Sequence, residues 1–128
     1  MTKDSLLIAV VDDEDLVRKA LGRLIRAAGF HVETFSTGAD FLRSLQQHQP
    51  DCAVLDLRMP LMSGLEVQKA ITRIYALLPV VIITGDDSVE SRTLALKQGA
   101  AAYLRKPVDE AVLIDAIRNA LRARPSVT

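Results

Sequence analysis

Short, unbroken apolar runs alternate with stretches of helical period along the chain, and this alternation is what most restricts the fold. Leu6-Leu7-Ile8-Ala9-Val10-Val11 contains no polar position. A strand with one wet face would alternate apolar and polar residues. A continuous run instead predicts a strand buried on both faces, as in a parallel sheet covered by helices. Leu16, Val17, Ala20, Leu21, Leu24, Ile25 and Ala28 follow at spacings of three and four. They predict an amphipathic helix with an apolar face over those positions, closed by Gly29.

The pattern then repeats. His31 to Phe35 reads as a second strand, and Thr37 as the cap of a helix whose apolar face is Phe41, Leu42 and Leu45. Cys52-Ala53-Val54-Leu55 is a third strand ending at Asp56, and Arg58 to Gly64 reads as a loop. Leu65, Val67, Ala70, Ile71 and Ile74 give the next helix face. Val80 to Ile83 is a fourth strand ending at Thr84, with a helix from about Val89 to Gln98 stopping at Gly99. Ala102-Tyr103-Leu104 is a short fifth strand before Lys106-Pro107, and Leu113, Ile114, Ile117, Ala120 and Leu121 mark a last helix. Five strand–helix units in 128 residues predict one doubly wound α/β domain, with a core over about residues 6–122 and a tail or linker start over 123–128.

Composition agrees and excludes some function classes. Hydrophobic residues make up 49% of the chain but aromatics only 4%, so the core must be aliphatic. Sixteen basic residues balance sixteen acidic ones, which argues against direct nucleic-acid binding. The first apolar run is too short for a membrane span, so a cytoplasmic protein is expected. Cys52 is the one cysteine and has no disulfide partner; it reads as core packing. His31 and His48 lack partners at metal-ligand spacing. Arg18, Lys19, Arg23 and Arg26 read as a solvated helix face.

In open α/β sheets, ligands bind beyond the carboxyl ends of the strands. Those ends carry Asp12-Asp13, Asp56, Thr84 and Lys106 on strands one, three, four and five. Three clustered carboxylates repel one another unless a cation joins them or one stays protonated. Oxygen donors suit Mg²⁺, which binds few protein carboxylates. Lys106 could neutralise a phosphoryl oxygen and Thr84 could hydrogen-bond another, while a carboxylate can itself accept the phosphoryl group. Glu14 and Asp15 read as acids complementing the dipole of the first helix.

Val11-Asp12-Asp13-Glu14, Leu55 to Gly64 (LDLRMPLMSG), Ile83-Thr84-Gly85 and Tyr103-Leu104-Arg105-Lys106-Pro107 resemble the motifs of response-regulator receiver domains, most closely the NarL/FixJ type. The resemblance spans about Leu6 to Leu121. It implies a flavodoxin/CheY-like sheet of order 2-1-3-4-5 and phosphorylation of Asp56 by a sensor histidine kinase or phosphotransfer protein. Asp13, Asp56 and the Arg58 backbone carbonyl would hold Mg²⁺ (or Mn²⁺), with Asp12 acting through a metal-bound water. Thr84 and Lys106 would contact the phosphoryl oxygens, and the Lys106-Pro107 bond would be cis. Thr84 and Tyr103 would form the switch, altering a face made by the fourth helix, fifth strand and fifth helix, through which a homodimer could form. Arg58 and Asp86 would tune the phosphoryl lifetime, Arg58 pairing with Asp86. The chain would act as a regulatory phosphoacceptor rather than an enzyme, with transcription as the expected output and a DNA-binding domain following in a longer parent.

Three rival readings fit less well. A haloacid-dehalogenase-type phosphatase would want an acid two residues after its nucleophile, where Arg58 stands. A flavin or nucleotide site would want a glycine-rich phosphate loop, and the first strand ends in acids instead. A degenerate receiver serving only as an interaction module would lack some of the phosphorylation residues.

Overall fold

A computed structural model describes residues 6–85 and 88–124; Asp86 therefore lies outside the described residues. The elements are β1 (Leu7–Val11), α1 (Asp15–Ala27), β2 (His31–Phe35), α2 (Gly38–Leu45), β3 (Cys52–Asp56), α3 (Gly64–Ile74), β4 (Val80–Thr84), α4 (Val89–Lys97), β5 (Ala102–Arg105) and α5 (Glu110–Ala123). The strands form one five-stranded sheet in the order β2-β1-β3-β4-β5, and every neighbouring pair is parallel. This is the order that the resemblance implied. α5 takes in Ala123, which the sequence placed in a tail, and Arg124 pairs with Asp51 at 2.9 Å.

Alternation of side chains along the strands divides the core in two. Ile8, Val10, Cys52, Val54, Val81 and Ile83 pack with Leu21 and Ile25 of α1 and Leu113, Ile117 and Ala120 of α5. Ala9, Val11, Ala53, Leu55, Val80 and Ile82 pack on the other face with Phe41 and Leu45 of α2, Val67 and Ile71 of α3 and Ala95 of α4. The central strands β3 and β4 are buried at every position, which is why their sequences carry no polar alternation. Cys52 sits in this core, and burial pushes its thiol up to about 12, so it is an inert packing group.

The apolar face of α1 is narrower than its sequence suggests. Leu16 is 82% exposed and Ala20 is also exposed. Leu16 precedes the buried Ile25 by nine residues, which at 3.6 residues per turn places it on the opposite side of the helix, roughly 180° away. The helix ends follow their local chemistry. The Thr37 hydroxyl accepts from the Asp40 N–H at 3.1 Å, as expected of a cap, and Ser63 and Glu66 form a capping box on α3. Gly29 and Gly99 adopt φ of 102° and 99° after α1 and α4, a conformation that favours glycine.

α4 is attached differently from the other helices. Ala95 is its one buried residue, and Val89, Leu94 and Leu96 face solvent. Gln68 of α3, itself buried, donates its amide to the Ala95 carbonyl at 2.8 Å, and Gln98 donates to the Gln68 carbonyl at 2.9 Å. The Ala95 carbonyl lies in the last turn of α4, where helical donors run out; it also accepts from the Ala100 N–H at 3.0 Å, so Gln68 supplies it with a second donor from another helix.

Gly64 opens α3 directly behind the end of β3. Its N–H donates to the Leu57 carbonyl at 2.8 Å, and a Cβ there would lie 2.5 Å from the Asp56 carbonyl oxygen and 2.8 Å from the Leu57 Cα. Backbone cannot give way cheaply, so Gly64→Ala is expected to lower stability by about 1–3 kcal/mol in urea unfolding. An unchanged midpoint would show that the β3–α3 loop is looser than its packing implies.

Candidate functional site

The carboxyl ends of the strands bring the predicted residues to one rim. Asp12 follows β1, held where its N–H donates to the Phe35 carbonyl of β2 at 3.1 Å. Its side chain is fully buried, and its Oδ1 accepts from the Glu14 N–H at 2.9 Å. Asp13 beside it is exposed. Asp56 ends β3 and is only 3% exposed. Thr84 ends β4, fully buried, and its carbonyl accepts from the Lys106 N–H at 2.8 Å. That bond carries β5 pairing one residue past the strand and delivers Lys106 to the rim. The Lys106-Pro107 bond is cis.

Lys106 is the centre of the charge arrangement. Its Nζ lies 3.0 Å from Asp12 Oδ2, 3.2 Å from Glu14 Oε1 and 3.4 Å from Asp56 Oδ1. Burial works against its positive charge, but the close contact with Asp12 and the charges of Asp56 and Asp12 outweigh this and raise its pKa above the ordinary value. Asp56 is moved in the opposite sense. Burial first, and then the charge of Asp12, push its carboxyl up to about 6, against the pull of Lys106 and the Arg58 N–H. Even with a bound ammonium, the rim therefore holds more negative charge than it can comfortably keep ionised.

That surplus fits a divalent cation. Asp12, Asp13 and Asp56 each offer a carboxylate oxygen, all within 4.8 Å of one another. A donor set made only of oxygen suits a hard ion such as Mg²⁺. A cleft of about 220 Å³ is bordered by Glu14, Asp56, Arg58, Gly85 and Lys106, so Asp56 lies at the wall of a solvent-filled depression.

Glu14 departs from the sequence reading. It stands at the N-cap of α1 but its side chain makes no capping bond; it reaches Lys106 instead. Helix-dipole chemistry is left to Asp15, which pairs with Arg18 at 2.6 Å and Lys19 at 3.0 Å. Glu14 and Lys106 are 92 residues apart, and no local pattern could have announced their contact. Arg58 is exposed, with its N–H 3.4 Å from Asp56 Oδ1; the expected pairing with Asp86 falls outside the described residues. Tyr103 packs half-buried on the α2–α3–α4 side of the sheet, its hydroxyl shielded from solvent, with the Arg92 guanidinium 6.0 Å from its ring centre. His48 is bound to Glu33 at 2.7 Å on the surface, away from the rim.

The state of Asp56 gives a signed pH dependence. A carboxyl held above its unfolded value of 3.8 binds its proton more tightly in the folded state. Its stabilising contribution is complete below about pH 4 and is lost as pH rises through about 6. In metal-free buffer near pH 7.5, Asp56→Asn is expected to be more stable than the parent by on the order of 2 kcal/mol, the gap closing toward pH 4. Urea titrations across that range measure the difference directly, and a gap independent of pH would assign it to packing instead.

Comparison with known proteins places this geometry. A family model for the response regulator receiver domain matches residues 8–118. The response regulator protein TmoT of Ectopseudomonas mendocina is 37% identical over 98% of this chain and 57% of its own length. The transcriptional regulatory protein FixJ of Azorhizobium caulinodans is 38% identical over 92% of this chain and 56% of its own. The chain thus spans little more than half the length of these curated relatives. Among solved structures, FixJ-N superposes with a TM-score of 0.89 at 31% identity, covering 99% of this chain and 100% of the other. The response regulator StyR gives 0.85 at 42% identity, over 94% of this chain and 61% of the other. The chain therefore belongs to the response regulator receiver domain family of two-component signalling.

Proposed function

We propose that Asp56 accepts a phosphoryl group from the phosphohistidine of a sensor histidine kinase or phosphotransfer protein. The observation that carries this reading is the seat of Asp56: a nearly buried carboxylate bordering a cleft, beside an ammonium and two further carboxylates. An Asp56 oxygen forms the new bond to phosphorus while the bond from phosphorus to the imidazole nitrogen breaks. Such transfers need mainly positioning and charge neutralisation. Lys106 supplies a fixed positive charge for one phosphoryl oxygen, and the Thr84 hydroxyl a hydrogen bond for another.

Asp13, Asp56 and the Arg58 carbonyl would hold Mg²⁺, with Asp12 assisting through a water. When bound, the ion neutralises charge developing on the phosphoryl oxygens. Asp12 serves the chain in a second way: it orients Lys106 and, through the Glu14 N–H, fixes the turn into α1. Arg58 borders the cleft and, with Asp86, would set how long the acyl phosphate survives. Thr84 and Tyr103 occupy neighbouring strands β4 and β5, Tyr103 opposite Ile82. A shift of Thr84 toward the phosphoryl group would thus be passed to Tyr103 and the α4–β5–α5 face, through which a homodimer could assemble.

The chain acts in this reading as a regulatory phosphoacceptor in the cytoplasm, one compact receiver whose longer parent controls transcription through a DNA-binding domain. The regulatory names of its relatives support that output. Among the described residues no helix is long and apolar enough to cross a membrane.

Incubation with Mg²⁺ and acetyl phosphate, followed by intact mass measurement, is expected to show one phosphoryl adduct. The adduct should disappear in Asp56→Asn and on chelation of the metal. Loss of both that adduct and any response to a beryllium fluoride mimic would reject Asp56 as the acceptor and leave an interaction module.

A further inference from the structure

The Lys106 ammonium has three N–H donors, and in the resting domain three carboxylates stand around it: Asp12, Glu14 and Asp56. Of the three contacts, the one with Glu14 has hydrogen-bond geometry, while Asp12 and Asp56 act on the ammonium as nearby charges. Glu14 thus holds a Lys106 donor that a phosphoryl oxygen arriving on Asp56 could use. Asp12 is fully buried and Asp56 is itself the acceptor, whereas the Glu14 side chain is 61% exposed. Glu14 also borders the same cleft as Asp56, Gly85 and Lys106. It makes no capping bond on α1 that would hold it elsewhere.

We propose that Glu14 is a positioning residue that occupies the solvent-facing donor of Lys106 as a stand-in for the phosphoryl oxygen, and so slows phosphoryl acceptance by Asp56. This rests on the reading of Asp56 and Lys106 given above. The donor that the stand-in holds becomes available to the incoming group when Glu14 leaves. An exposed ion pair is weak, so the brake is mild and graded, and it lies in a side chain that takes no part in the covalent step. Glu14 and Lys106 also border a groove of about 460 Å³ lined by Val17, Leu21, Leu24, Pro107 and Val108, so the Glu14 side chain has space to move to when it leaves Lys106.

The test is the initial rate of Asp56 phosphorylation by acetyl phosphate and Mg²⁺, followed by intact mass. In this reaction an Asp56 oxygen bonds to phosphorus, the bond from phosphorus to the acetyl oxygen breaks, and acetate leaves with the electron pair. Glu14→Ala is expected to react about two- to fivefold faster than the parent. Glu14→Asp separates contact from charge: it keeps the negative charge but is one methylene too short for the 3.2 Å contact. It should match the alanine variant. Equal rates for all three proteins would overturn the proposal. So would a slower alanine variant, or an aspartate variant as slow as the parent, which would assign the effect to general repulsion of the anionic donor. No adduct on any of the proteins, together with no response to a beryllium fluoride mimic, would overturn the phosphoacceptor reading itself, and the stand-in with it.

Discussion

The repulsion among Asp12, Asp13 and Asp56 is the constraint around which this domain is arranged. Three carboxylates with oxygens inside 4.8 Å would not collect by choice in a protein interior, where charges interact strongly. They are tolerated because the sheet order places β1 beside β3 and brings β5, two strands from β3, close enough for Lys106 to reach them. Lys106 is held by the last ladder bond, from its N–H to the Thr84 carbonyl, so its register depends on β4 and β5 pairing correctly. The site is thus a property of the completed sheet. A one-residue slip of β5 would turn Lys106 to the other face and leave Asp12 a buried, uncompensated charge.

Much of this was legible in the sequence, because β1 is apolar throughout, β3 and β4 are apolar up to their last residues, and the chemistry sits where these strands stop. The end of each run marked Asp12, Asp56, Thr84 and the approach to Lys106, and a parallel sheet necessarily gathers such ends on one rim. The helical faces of α2, α3 and α5 were likewise readable from their spacing. α1 departed most, since Leu16 and Ala20 lie within the periodic pattern yet face solvent, and Ile74 at the end of α3 is also exposed. Apolar residues can satisfy a spacing rule without being buried, because the rule has no term for where the sheet lies.

What stayed hidden depends on contacts between distant segments. Glu14 looked like one more acid at a helix start, and only the fold shows its carboxylate turned to Lys106. Gln68 and Gln98 looked like ordinary polar positions on two helices, and nothing in either segment indicates that one is buried against the other. Gly64 was read as part of a loop; its closeness to the Asp56 carbonyl appears only once β3 and α3 are packed. Side chains that bond across elements leave no periodic trace, so a single sequence under-reports them.

The glutamine clasp on α4 has a mechanical consequence. A helix seated by an apolar stripe resists displacement in proportion to the area it would expose, and its hold weakens on cooling as the hydrophobic effect does. α4 is seated by one alanine and a pair of directed amide bonds near its C-terminal end. It behaves less like a plank glued along its length than like a door on a single hinge. Rotation about that end would change little buried apolar area, because Val89, Leu94 and Leu96 already face solvent.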